Sequence, residues 1–286
     1  LATGLAIMGF GFAAAISSPI MDSLIKSVGT ANTFYILGTA YFIIMTLSSL
    51  YLERPPVDWA PKGFREKAES GKVKVKKDLS QLTANEAIKT SRFYYLWVML
   101  FINVTCGIAI LSAAKPLAEE SIGLSTAEAA ALVGVLGLFN GFGRIAWASI
   151  SDYIGRPNTY TIFFATQIVL FMLLPHTKEA FLFQVMLAVV YTMYGGGFAA
   201  IPAFIGDIFG TKQLGAIHGY ILTAWAAAGL AGPMFAAWMK DTTGSYATSL
   251  TFFSGLFVVA LAVSILIRRD INKLQKQNEA NERLAG

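Results

Sequence analysis

Long apolar runs alternate with short polar breaks along this chain. They cover residues 1–20, 33–52, 93–113, 127–150, 159–175, 181–204, 214–239 and 246–267. A helix needs about 20 mainly apolar residues to cross the hydrocarbon of a bilayer. Backbone polar groups there must pair within their own segment, and runs this long exceed barrel strands, so the pattern predicts eight membrane helices. The first run, Leu1 to Ile20, carries no charge, and the chain opens without Met. It lacks the basic start and small-residue cleavage site of a secretory leader. It reads as the inside of a span with neighbours upstream, so the sequence is expected to be a fragment of a longer chain.

Composition agrees. Of 286 residues, 55% are hydrophobic and only 14% charged, against about 45–50% and about 25% in soluble domains. Mean hydropathy is +0.58. Such a chain has too little polar surface for a soluble globule. The lone cysteine, Cys106, excludes a disulfide framework.

A net charge of +5 raises nucleic acid as a partner, but the positions of the charges argue for a membrane. Basic residues gather between Glu53 and Arg92 and in the tail from Arg268, with Arg156 and Lys212 in loops on the same side. The opposite loops hold Lys26, Lys115, Lys178 and Lys240. Cytoplasmic loops are the basic ones. Residues 53–92 are therefore expected to form a cytoplasmic central loop and 268–286 a charged cytoplasmic tail of a plasma-membrane protein, with two helices in 1–52 and six in 93–267. The basic cluster Lys72–Lys77 reads as topology plus attraction to anionic lipid. A nucleic-acid site would need stacking or base-reading neighbours, and only Trp59 and Phe64 are near.

The first and seventh runs resemble each other. Gly4 to Pro19 and Gly219 to Pro233 both pass from glycine through small and apolar residues and a central aromatic to proline. Small residues serve helix packing in general, but a repeat of six spans also characterises one large class of transporters. On that pattern these would be the fifth and eleventh of twelve helices.

Candidate chemistry centres on Arg144, in Asn140-Gly-Phe-Gly-Arg144. It lies seven residues before Ser151, roughly 10 Å from the cytoplasmic end of its span. It can snorkel to the interface or face an internal cavity. Gly141 and Gly143 clear space beside the helix, and Asn140 shares its face one turn away. Facing a cavity, the planar guanidinium suits a carboxylate. Tyr194 and Phe198, four apart around Gly195-Gly196-Gly197, and Trp225, midway along the seventh run, either pack against neighbours or wall a small anion. Asp152 and Arg156 sit one turn apart where the fourth run ends. Asn103, Gln167 and Tyr220 read as hydrogen-bonding residues between helices. The two histidines, His176 and His218, fall on opposite sides of the membrane, so no metal cluster is expected. No zinc, phosphate-loop or serine-nucleophile motif is present. Neither enzyme chemistry nor a cofactor is expected. A multi-spanning receptor or sensor without transport is the alternative reading.

Several stretches together carry a family resemblance: Leu1-Ala-Thr-Gly-Leu-Ala-Ile-Met-Gly-Phe-Gly11, Phe139-Asn-Gly-Phe-Gly-Arg144, Ser151-Asp-Tyr-Ile-Gly-Arg156, Tyr194-Gly-Gly-Gly-Phe-Ala-Ala-Ile-Pro202 and Phe209-Gly-Thr-Lys212. The chain resembles the oxalate/formate antiporter family of the major facilitator superfamily. The resemblance implies an all-α integral membrane fold of two six-helix bundles, of which eight of twelve helices lie in this sequence. It implies alternating access to a midplane site and a monomer that moves a small organic anion together with a proton or in exchange for a counter-anion. Arg144 would match the anion-binding arginine of the eighth helix, with Asn140 beside it. Tyr194 and Phe198 would match aromatic contacts of the tenth, and Asp152 with Arg156 the gating signature. The family's oxalate transporter also carries a lysine midway along the eleventh helix. Here Trp225 takes that place, which favours a monocarboxylate such as formate, lactate or pyruvate.

Overall fold

The computed structural model describes residues 2–53, 56, 63 and 78–285. The basic cluster Lys72–Lys77, with Trp59 and Phe64, lies outside the described residues. Every regular element described is helical. They are α1 (Ala2–Tyr51), α2 (Ala84–Ala87), α3 (Ser91–Ile122), α4 (Thr126–Ile154), α5 (Arg156–Leu173), α6 (Ala180–Phe209), α7 (Leu214–Ile221), α8 (Thr223–Thr243) and α9 (Ala247–Ala285). A 3-10 turn, Leu174–His176, follows α5.

Among the described residues, seven stretches are long and apolar enough to cross a membrane. Six of them, from Ser91 onward, match the expected third to eighth runs. The N-terminal region differs. The loop expected over residues 21–32 is helical except at Gly29, whose φ of +78° breaks α1. Asn32 Nδ2 donates to the Val28 carbonyl and Thr33 Oγ1 to the Gly29 carbonyl, so side chains satisfy the oxygens released at the break. The spanning stretch here is Pro19–Tyr51, and the first run contributes the shorter apolar piece Gly4–Ala13.

The chain divides into two compact units, Leu1–Ala14 with Asp78–Gly286, and Ala15–Lys77. In the smaller unit, the helix exposes nearly all of its apolar surface, including Phe34, Tyr35, Phe42 and Ile44.

In the larger unit α4 packs on α6, α3 on α8, and α5 on α9. Lipid tails give helices little hydrophobic reason to associate, so close contact and buried polar pairs must hold them. Both are present. Gln167 Nε2 of α5 donates to Asn103 Oδ1 of α3, both fully buried. The Tyr160 hydroxyl of α5 donates to the Gly197 carbonyl of α6. Around them lies an aromatic core of Tyr160, Phe163, Phe164, Phe171, Phe204 and Phe257.

Two segments read as loop and tail are more structured than expected. Residues 79–84 run along the end of α6. Leu79 N donates to Asp207 O at 3.0 Å and Leu82 N to Phe209 O at 2.9 Å. Ser80 Oγ donates to Ile208 O, and Ala84 N to Gln213 Oε1. The tail from Arg268 continues as helix α9 to Ala285. Ile267 and Ile271 are buried, and Asn278 Nδ2, on the same side, donates to Leu79 O. The tail helix thus carries an inward-facing stripe at helical spacing.

Candidate functional site

Arg144 does not snorkel. Its side chain, on the inner face of α4, is 2% exposed. Nε donates to Asn140 Oδ1 at 3.2 Å, one turn earlier on the same helix. Nη1 lies 3.5 Å from the Ile7 carbonyl of α1. The guanidinium carbon sits 4.9 Å from the centre of the Phe10 ring and 5.2 Å from that of Phe198. Ring faces carry negative quadrupole density and attract a cation. Among the described residues no carboxylate pairs with Arg144.

The aromatic residues converge on this group. Phe10 and Phe198 stack with 6.2 Å between ring centres, and Trp225 approaches both at 6.3 and 6.2 Å. Tyr194, one turn before Phe198 on α6, is buried. Its ring lies where a β-carbon on Gly107 of α3 would fall, 2.3 Å away. Trp225 remains 36% exposed and Phe10 58%, so the cluster is open on one side.

Glycines set the distances. A β-carbon on Gly143 would meet the Thr192 carbonyl oxygen at 2.4 Å, and one on Gly195 the Asn140 carbonyl oxygen at 2.2 Å, so α4 and α6 touch backbone to backbone. Gly196 and Gly197 instead make room for the side chains of Trp147 and Asn103. The three consecutive glycines therefore serve close approach, and α6 runs helically through them. Gly141 makes room for the Phe12 ring of α1. The space cleared by Gly141 and Gly143 is filled by neighbouring helices and holds Arg144 against its partners.

The second cluster lies where α4 ends. Gly155, at φ +85°, turns the chain in one residue, and Pro157 sits in the first turn of α5, where its missing N–H costs nothing. Arg156 Nη2 binds Asp152 Oδ1 at 2.6 Å, and Nη1 binds Asp207 Oδ2 of α6 at 3.0 Å. One arginine thus ties the end of α4 to the end of α6, at the place where residues 79–84 are bonded.

The sequence profile of the Major Facilitator Superfamily matches residues 1–233. The chain belongs to the major facilitator superfamily. This superfamily consists of membrane transporters rather than enzymes. The chain is 28% identical to the oxalate:formate antiporter of Oxalobacter formigenes, over 96% of this chain and 64% of that protein. It is 25% identical to monocarboxylate transporter 12-B of Danio rerio, over 99% of this chain and 64% of that protein. It thus spans less than two thirds of these relatives. Among solved structures it is similar to the fucose:proton symporter of Escherichia coli. The TM-score is 0.63 at 14% identity, covering 90% of this chain and 65% of that one; this likeness concerns the fold alone.

Within this superfamily fold, the structure brings Arg144, Asn140, Tyr194, Phe198 and Trp225 to one place, and Asp152 with Arg156 to another. Tyr220 stands apart, lining an apolar cleft of about 500 Å³ with Phe93, Tyr94, Trp97 and Thr223. Sequence reasoning missed Phe10, the Ile7 carbonyl, Gly107 and Asp207. Phe10 carried a signal, since it and Trp225 each stand six residues after the glycine that opens the two similar runs.

Proposed function

We propose that this chain is part of a secondary transporter that moves small carboxylate anions across the membrane by alternating access. The observation that carries the reading is the guanidinium of Arg144, buried with two neutral oxygens and two aromatic faces but no described carboxylate. Burying a cation without its counter-charge is costly, and a carboxylate matches the planar fork. The similarity to the oxalate:formate antiporter and to monocarboxylate transporter 12-B supports the same class.

In this reading Arg144, oriented by Asn140, anchors the carboxylate. Phe10, Tyr194, Phe198 and Trp225 limit the size of its other end. Asp152 and Arg156, with Asp207, latch the side of the membrane that carries the basic segments. One fixed cation balances one negative charge, so formate, lactate or pyruvate is favoured over oxalate, in exchange for a counter-anion or with a proton. The charge bias supports a cytoplasmic basic loop and tail, and in this reading the protein is a monomer of the plasma membrane.

The test is counterflow in vesicles holding the full-length protein, with labelled formate, lactate, pyruvate and oxalate. Monocarboxylate exchange that disappears in Arg144→Gln, with equal protein in the membrane, is the expected result. Exchange by Arg144→Gln at the wild-type rate, or no exchange of any carboxylate by the wild type, would overturn the assignment.

A further inference from the structure

At the basic end of α9 the apolar outer surface stops at one cation. Ile265 and Leu266 are 40% and 43% exposed, and Ile162 on the neighbouring α5 is exposed too. Arg268 follows them, half-buried between the two helices. Its Nη2 donates to Thr161 Oγ1 at 2.7 Å and lies 3.4 Å from the Pro157 carbonyl. Thr161 Oγ1 is in turn 3.2 Å from Ser264 Oγ. All of these oxygens are neutral. The acid two residues along, Asp270, is engaged with Arg92 at 3.6 Å and Ser91 at 3.2 Å on α3. Among the described residues no carboxylate pairs with Arg268, and its buried Nε has no partner.

An arginine at the end of a span ordinarily extends toward water. Side chains on a helix lean toward its N-terminus, and the bonds to Thr161 and Pro157 hold this one back along α9, beside the last lipid-facing residues. A cation fixed at that boundary without a counter-charge favours an anion beside it. The exposed residues that precede it on both helices are apolar, which suits an anion carrying acyl chains. The membrane face on the side of the basic segments is the one that presents anionic lipid.

We propose that Arg268, positioned by Thr161 and Ser264, binds the phosphate group of an anionic phospholipid in that leaflet. The site is separate from Arg144 and does not depend on what the protein transports.

The test uses the purified full-length protein in micelles doped with phosphatidylglycerol or with phosphatidylcholine of the same acyl chains. Melting temperature and lipid retained in native mass spectrometry are the readouts. The wild type is expected to melt higher and retain lipid with phosphatidylglycerol. Arg268→Gln, which keeps a donor for Thr161 but loses the charge, is expected to lose that difference, whereas Arg269→Gln on the exposed side of α9 keeps it. Four results would overturn the site. They are no lipid preference in the wild type, an unchanged preference in Arg268→Gln, an equal loss in Arg269→Gln, or the same shift produced by inorganic phosphate in phosphatidylcholine micelles. The first and last of these need no variant, so the proposal stays testable if Arg268→Gln fails to fold.

Discussion

The rings of Phe10 and Trp225 meet edge to face with 6.3 Å between their centres, and Phe198 touches both. Two helices far apart in sequence thus close one aromatic wall beside Arg144. Phe10 is the more exposed member and its ring spans the gap to α6, so Phe10→Ala is expected to widen the site. Each methylene accommodated is worth about 1–3 kcal/mol in such a pocket. Carboxylates with branched chains should then compete roughly tenfold better against labelled pyruvate. An unchanged ranking of competitors would remove Phe10 from the wall.

Asn140 holds Nε of Arg144, which leaves the outer nitrogens of the fork to meet a carboxylate. A hydrogen bond to a charged group contributes about 1.5–3 kcal/mol. Asn140→Ala is expected to raise the KM for a monocarboxylate about tenfold or more on that scale, with maximal rate less affected. Arg144→Lys keeps the charge but loses the fork and should be the poorer transporter of the two. Equal KM values in Asn140→Ala and the wild type would show that Arg144 needs no such support.

Arg156 binds two acids of different standing. Asp152 is its neighbour across the Gly155 turn, whereas Asp207 belongs to α6. The first bond spans only the one-residue turn between α4 and α5, whereas the second reaches across to the end of α6. Asp207→Asn should therefore shift cysteine-labelling accessibility on the basic side more than Asp152→Asn does. The Arg156 side chain is 12% exposed, so salt should weaken the bridge less than it weakens a surface pair. A shift in Asp152→Asn with wild-type labelling in Asp207→Asn would assign the latch to Asp152 alone.

The helices, the arginine within its span and the pairing of Asp152 with Arg156 were legible in the sequence because each is a local pattern. Asn140 and Arg144, Tyr194 and Phe198, and Asp152 and Arg156 are all four residues apart, a spacing that a helix turns into contact whatever surrounds it. Phe10 and Asp207 were not read because their partners come from other helices, and an aromatic in an apolar run looks like any lipid-facing residue. Asp207 did leave a trace, as the first charge after the uncharged run 181–204. The break expected between the first two runs is present but confined to Gly29 rather than spread over residues 21–32. Polar residues there, such as Asp22 and Lys26, pair at helical spacing with 2.6 Å between them, so polarity alone did not end the helix.

The glycines of α4 offer a direct check on how Arg144 is held. Gly143 faces backbone atoms of Thr192, which cannot move without shifting α6, and a β-carbon there would sit 2.4 Å from the carbonyl oxygen. Gly137, on the same helix, has open space within 4 Å. Overpacking costs about 1–3 kcal/mol, while alanine on an open helical face gains up to about 1 kcal/mol in propensity. Gly143→Ala should lower the melting temperature and, by pushing α4 from α6, separate Arg144 from Phe198 and weaken transport. Gly137→Ala should leave both unchanged or raise stability slightly. If Gly143→Ala melts and transports like the wild type, α4 and α6 do not meet as closely as their backbones do here, and the aromatic faces do not fix the guanidinium.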